Sequence, residues 1–171
     1  MDRRQAMAGL LMGATIMSSE AQAAVGSDAA SEVRRLVDRY AAAWNAADMD
    51  AMAALYADDV HWVNIVGMHW QGKEQVDRAH RIYFATMFKG VPLTLEAIES
   101  VMPLPGSGVA AVVRWAVGGF TTPFEQKRPP SRDRMSLILI PAGNRLVIAH
   151  GANVQIDERA QGSDPTLGTP G

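Results

Sequence analysis

Two observations predict an α+β fold for this chain. Up to about residue 89 most apolar residues recur at spacings of three and four, the mark of helices with one buried stripe. From Leu93 onward they fall into short β-branched stretches separated by Gly and Pro turns. Helices first and strands after them imply three N-terminal helices packed on one curved antiparallel sheet, which wraps around the first and third helices.

The first helix is predicted over Asp28 to Ala47, where Val33, Leu36, Val37, Tyr40, Ala43 and Trp44 form the stripe. Asn45 and Asp48 punctuate the chain, and Asp50 is the expected N-cap of a short second helix running through Met52, Leu55 and Tyr56. Asp58 and Asp59 are read as its end. A strand over Val60 to Val66 follows, with Val60, Trp62 and Asn64 on one face and His61, Val63 and Ile65 on the other. After Gly67, the MHWQ turn and Gly72 comes a third helix that lines up Val76, Ala79, His80, Tyr83 and Met87 and closes at Lys89-Gly90. Strands are then expected at Leu93 to Met102 and Val109 to Val117. The polar connection TTPFEQKRPPSRD leads to a last hairpin, MSLILIP with RLVIAHGANVQI, across Ala142-Gly143-Asn144.

At 171 residues the chain fits a single domain with a substantial core. Its 48% hydrophobic and 20% charged content is that of an ordinary globule, and a net charge of −2 offers nucleic acid no general attraction. Zero cysteines exclude disulfides and thiolate chemistry. At the N-terminus Arg3 and Arg4 precede the apolar run AMAGLLMGATIM and then Ala21-Gln22-Ala23, which reads as a cleavable export signal over residues 1–23. The paired arginines resemble a twin-arginine signal, from which Asp2, Ala6 and Met7 depart. The run is too short to span a bilayer. The expected organisation is a signal at 1–23, a linker at 24–29, a domain at 30–156 and a flexible tail at 157–171, with export to the periplasm.

The phrases AWNAADMDAMAALYADDVHWVNIVG and QGKEQVDRAHRIYFATMF resemble the nuclear transport factor 2-like superfamily, of the SnoaL-like type and its SgcJ/EcaC-type branch. That resemblance implies a cone-shaped fold, an apolar cavity between helices and sheet, and cofactor-free isomerase, dehydratase or cyclase chemistry. It equally admits a non-catalytic association module acting through its sheet face. In the ketosteroid isomerases of this scaffold an Asp before a Val-Gly turn abstracts a proton, and Asn64 in VNIVG resembles that position with an amide in place of the acid.

Asn64, His80 and His150 are therefore the candidate catalytic residues. Tyr40, Trp44, Trp62, Tyr83, Trp115 and Asn153 are the candidate cavity lining, for a small apolar ligand. Each has a structural alternative: Asn64 satisfying a backbone group, His80 a satisfied core histidine, the aromatics core filler. The side of the sheet that His150 faces is left open by Gly151 and an expected bulge. The four histidines lack a metal-ligand spacing, and neither a glycine fingerprint nor a Gly-x-Ser-x-Gly elbow occurs, so neither metal nor cofactor is expected. Arg132-Asp133-Arg134 reads as a solvated strand edge. Apolar residues on both faces of MSLILI and RLVIA predict a homodimer formed through the outer sheet face.

Overall fold

The computed structural model describes residues 19–166. Helix α1 covers Ser19–Ala46 and α2 Met49–Ala53, followed by strand β1 over Tyr56–Val63 and β2 over His69–Gln71. Helix α3, Lys73–Tyr83, runs into a π-helical turn at Phe84–Phe88. Strands β3 (Leu93–Pro103), β4 (Val109–Val117), β5 (Phe120–Thr121), β6 (Lys127–Arg128), β7 (Ser131–Ala142) and β8 (Arg145–Gln155) follow, then a short α4 at Glu158–Gln161. Six strands form one sheet in the order β2-β1-β8-β7-β4-β3, and β5 with β6 makes a separate ribbon. The expected antiparallel sheet has one exception: β1 joins β8 in parallel. None of the described helices is long and apolar enough to cross a membrane.

The element boundaries differ from the expected ones at several caps and turns. Helix α1 already includes residues 24–29, expected as a linker, although Val25, Gly26, Ser27 and Asp28 are weak helix formers. The expected signal segment lies mostly outside the described residues. Asp48, rather than Asp50, caps α2, its side chain accepting from the Ala51 N–H at 2.9 Å. Tyr56 therefore opens β1, and Asp58 and Asp59 sit exposed within that strand instead of closing a helix. The strand ends at Val63 because the Asn64 side chain builds the next turn. Its Oδ1 accepts from Met68 N–H at 2.8 Å and Val66 N–H at 3.1 Å. The residues expected as a turn, His69 to Gln71, return as β2, with Trp70 opposite Trp62. Asp157 caps α4, so the expected tail begins with an ordered turn of helix.

The core lies between α1, α3 and the concave sheet face. Strand β4 alternates strictly, with Val109, Ala111, Val113, Trp115 and Val117 buried. Tyr40 of α1 stacks on Trp62 at 6.2 Å and meets Trp115 at 5.9 Å. The end of α1 is fixed to β3 by one side chain: Asn45 donates to Leu93 C=O at 2.8 Å and accepts from Leu93 N–H at 2.9 Å. Trp44 adds a bond from its Nε1 to Val91 C=O at 2.8 Å.

Trp62 lies across Gly151, its register partner on β8. A Cβ at Gly151 would stand 2.4 Å from the indole ring, so glycine is required here for space rather than for backbone conformation. Gly151→Ala is expected to cost about 1–3 kcal/mol through overpacking. Asn45→Ala should cost a similar amount, about 1–3 kcal/mol, by stripping partners from both polar groups of Leu93. Urea denaturation of each variant measures these losses, and unchanged midpoints would contradict both assignments.

Candidate functional site

Alternation along β7 places Asp133, Met135, Leu137 and Leu139 on the concave face. Arg132 and Arg134 point the other way. There they pair with Glu96 and Glu158, and with Glu99, respectively. The expected solvated strand edge is not found: β7 is a central strand between β8 and β4, its two arginines lie on the outer face of the sheet, and the acid between them faces inward. Asp133 is 3% exposed. A period-two reading of the segment RDRMSLILI carries this signal, since the apolar residues Met135, Leu137 and Leu139 share parity with Asp133.

Asp133 occupies the middle of a short polar strip across three strands. Its register partner on β4 is Trp115, and Asn153 of β8 stands opposite Met135, one pleat along the same face. Ser131 Oγ donates to Asp133 Oδ1 at 3.1 Å, and Asn153 Nδ2 donates to Oδ2 at 3.2 Å. Burial raises the Asp133 pKa above the ordinary carboxylate value, and the bonds from Ser131 and Asn153 oppose the rise only in part. No arginine or lysine among the described residues pairs with it.

Three polar atoms in this interior are buried without a hydrogen-bond partner: Trp115 Nε1, Asn153 Oδ1 and Tyr56 Oη. They supply a donor, an acceptor and a hydroxyl that can be either. Trp115 Nε1 and Asn153 Oδ1 come from the strands on either side of Asp133, whereas the Tyr56 hydroxyl lies against that of Tyr40. Buried polar groups are nearly always satisfied, so the pair beside the acid suits polar atoms from outside the chain. Burial also pushes the phenols of Tyr40 and Tyr56 well up, keeping both protonated.

His80 sits on the helix side of the same interior. Its Nδ1–H donates to Val76 C=O at 2.8 Å, which leaves Nε2 as the acceptor. Trp62 and Trp70 approach its ring edge-on at 5.5 and 5.8 Å, with Tyr56 tilted against it at 5.9 Å. Burial among these rings lowers the His80 pKa; the Val76 carbonyl and the charge of Asp77 counteract this more weakly.

The remaining expected residues divide among different places. Tyr40, Trp62 and Trp115 pack together in the core, as described, with Trp44 against Phe84 and Phe88 at 4.8 and 5.1 Å. Tyr83 is half-buried, donating its hydroxyl to Met68 Sδ at 3.2 Å. Asn64 departs from its expected place beside His80, because its carbonyl oxygen is spent on the turn. His150 is the other departure. The bulge at Ala149 puts it opposite Ile138, on the outer face, while Gly151 and Asn153 remain inside. There His150 is in register with His61, whose Nδ1 lies 3.0 Å from His69 Nε2. Among the described residues no three His, Asp or Glu side chains form a metal-ligating group.

Comparison with known proteins bears on the scaffold. An uncharacterised protein with a cystatin-like fold from Caulobacter vibrioides is 31% identical, covering 82% of this chain and 98% of its own, with a TM-score of 0.77. A ketosteroid isomerase-like protein from Erwinia carotovora atroseptica is 19% identical over 74% of this chain and 95% of its own, with a TM-score of 0.63. A nuclear transport factor 2-like superfamily protein from Salmonella enterica is 16% identical over 81% and 95%, with a TM-score of 0.64. No curated protein matches the chain. The family model described as the SnoaL-like domain matches residues 37–154, from within α1 to within β8, and the chain belongs to that family, with a nuclear transport factor 2-like fold.

Proposed function

We propose that the chain binds a small, largely apolar molecule in the interior of the cone and holds its polar group against Asp133, Asn153 and Trp115. The observation that carries this reading is the orphaned donor and acceptor, Trp115 Nε1 and Asn153 Oδ1, buried on either side of a buried carboxyl. A ligand hydroxyl would complete both, accepting from Trp115 Nε1–H and donating to Asn153 Oδ1. The aromatic rings of Trp44, Tyr83, Phe84 and Phe88 offer the apolar contact.

Acid/base chemistry without a cofactor is the activity that suits this arrangement. The ketosteroid isomerase-like relative lends the scaffold precedent, but Asn64 has no carboxyl and its oxygen is engaged. Asp133 is the group able to exchange a proton: its raised pKa brings it nearer neutrality, where a carboxyl serves as general acid or base. His80 Nε2, neutral and unprotonated, is an acceptor elsewhere in the interior, among Tyr56, Trp62 and Trp70. Isomerisation or elimination next to a polarised carbonyl fits these groups.

A second reading is association through the outer sheet face, favoured by the exposed Ile138 and Val154 on adjacent strands of that face. A homodimer through this face is compatible with interior binding, and sedimentation at micromolar concentration tests it: a dimer is expected. Export to the periplasm is likewise inferred from residues 1–23. Intact-mass measurement of periplasmic protein should give a chain beginning at Ala24.

Native mass spectrometry of protein from its own host tests the leading reading by revealing a retained small molecule. With that molecule in hand, Asn153→Ala and Asp133→Asn should each weaken binding or turnover by about 1–3 kcal/mol. Normal binding and turnover in both variants would make the strip structural.

The pH dependence of stability carries its own sign. The pKa of Asp133 is raised on folding, so its burial costs nothing below the unfolded value of 3.8 and the cost grows as pH rises through the folded value. Asp133→Asn should therefore be at least as stable as the parent at neutral pH. His80 behaves oppositely: its folded pKa lies below 6.5, so its contribution is complete above that pH and is lost as pH falls toward the folded value. Urea titrations between neutral and mildly acid pH should show this loss in the parent and a flatter profile in His80→Gln.

A further inference from the structure

We infer that the rim of the cone is a docking surface for an anionic lipid bilayer. The rim can be traced from contact to contact. The Tyr83 hydroxyl meets Met68 Sδ in the β1–β2 turn at 3.2 Å, the Tyr83 ring meets Phe88 of the π-turn at 6.0 Å, and Phe88 meets Phe120 of the β5–β6 ribbon at 5.0 Å. The turn, the end of α3 and the ribbon therefore form one continuous edge.

Exposed apolar side chains concentrate along it. Ile65, Val66 and Met68 are 37%, 67% and 50% exposed, and Phe124, at the ribbon tip, is 85% exposed. These are four of the eight large hydrophobic residues exposed among the described residues, gathered on two loops of one rim. Scattered single apolar residues need no explanation, but this clustering does. Phe124 is also firmly presented: Thr122 N–H donates to Gln126 C=O and Glu125 N–H to Thr122 C=O, each at 2.9 Å, closing the turn that carries it.

Charge selects the occupant. Lys89 ends the π-turn, and Lys127 and Arg128 form β6, all exposed and unpaired among the described residues. Against these three cations the rim carries one carboxylate, Glu125, in a chain whose net charge is −2. Separate apolar insertions flanked by cations suit a headgroup layer, in which the side chains enter the acyl boundary and the cations remain among anionic phosphates. The purpose of such docking rests on the interior-binding reading, since an apolar ligand would pass between bilayer and cone without crossing water.

Flotation of the full-length chain with phosphatidylcholine vesicles, and with vesicles that also contain phosphatidylglycerol, tests the inference. Partition is expected with the anionic vesicles only, weakening as salt is added. Phe124→Ser, and separately the pair Lys127→Glu with Arg128→Glu, should each reduce it about tenfold or more at an unchanged Tm. Comparing variants within the full chain cancels any contribution from the apolar N-terminal run. Absence of partition, equal partition with both vesicle types, or variants that float like the parent would overturn the inference. So would vesicle-free self-association that Phe124→Ser abolishes, which would make a second copy the occupant. Ligand binding by Phe124→Ser in vesicle-free buffer separates the two readings: retained binding leaves the interior site standing whatever the flotation shows.

Discussion

Trp62 lying over Gly151 determines more of this molecule than any other contact. At that point the first strand joins the last in parallel, and a bare backbone lets the indole lie flat on the sheet. Tyr40 then stacks on the other side of Trp62, so α1, β1 and β8 meet in a single column. The same column sets the geometry of the interior, because Tyr56 and His80 lean on Trp62, and Trp115 leans on Tyr40. Polar groups in that interior are held by large rigid rings with few alternative rotamers, which is how a core can keep unpartnered atoms in fixed positions.

The charge pattern of β7 shows how a sheet sorts its chemistry. Three consecutive ionic residues, Arg132, Asp133 and Arg134, would neutralise one another in a loop. In a strand the pleat separates them by face, and the acid loses both cationic neighbours to the convex side. Two bulges in β3 bring Glu96 and Glu99 to that side and provide the arginines with replacement partners. The pKa of Asp133 is therefore set by desolvation with little electrostatic relief, although its sequence neighbours are cations.

Much of the fold was legible in the sequence because it rests on periodicity. The stripe from Val33 to Trp44, the alternation of β4 and the hairpin at Gly143 are local patterns with one consistent reading. The site was less legible because its residues owe their roles to tertiary relationships. Asn64 resembled a catalytic position, but its destiny was decided by nearby N–H groups that needed an acceptor. The side taken by His150 depended on a bulge at Ala149, and a single inserted residue reverses every assignment beyond it. Asp133 was legible by parity, yet the run of charge around it reads as surface. His80 and Asn153 lie in the interior as the patterns of α3 and β8 imply, whereas the partners that orient them come from other strands and helices.

The two ends of the sheet differ in form but share a physical result. At one end β2 is only three residues long; at the other, β3 carries two bulges in its ladder with β4, which bend and twist the edge strand. A short edge and a kinked, charged edge are both poor templates for an incoming strand. Growth by edge-to-edge addition, the route by which open sheets run on into fibrils, is thereby discouraged at both ends without closing the sheet into a barrel.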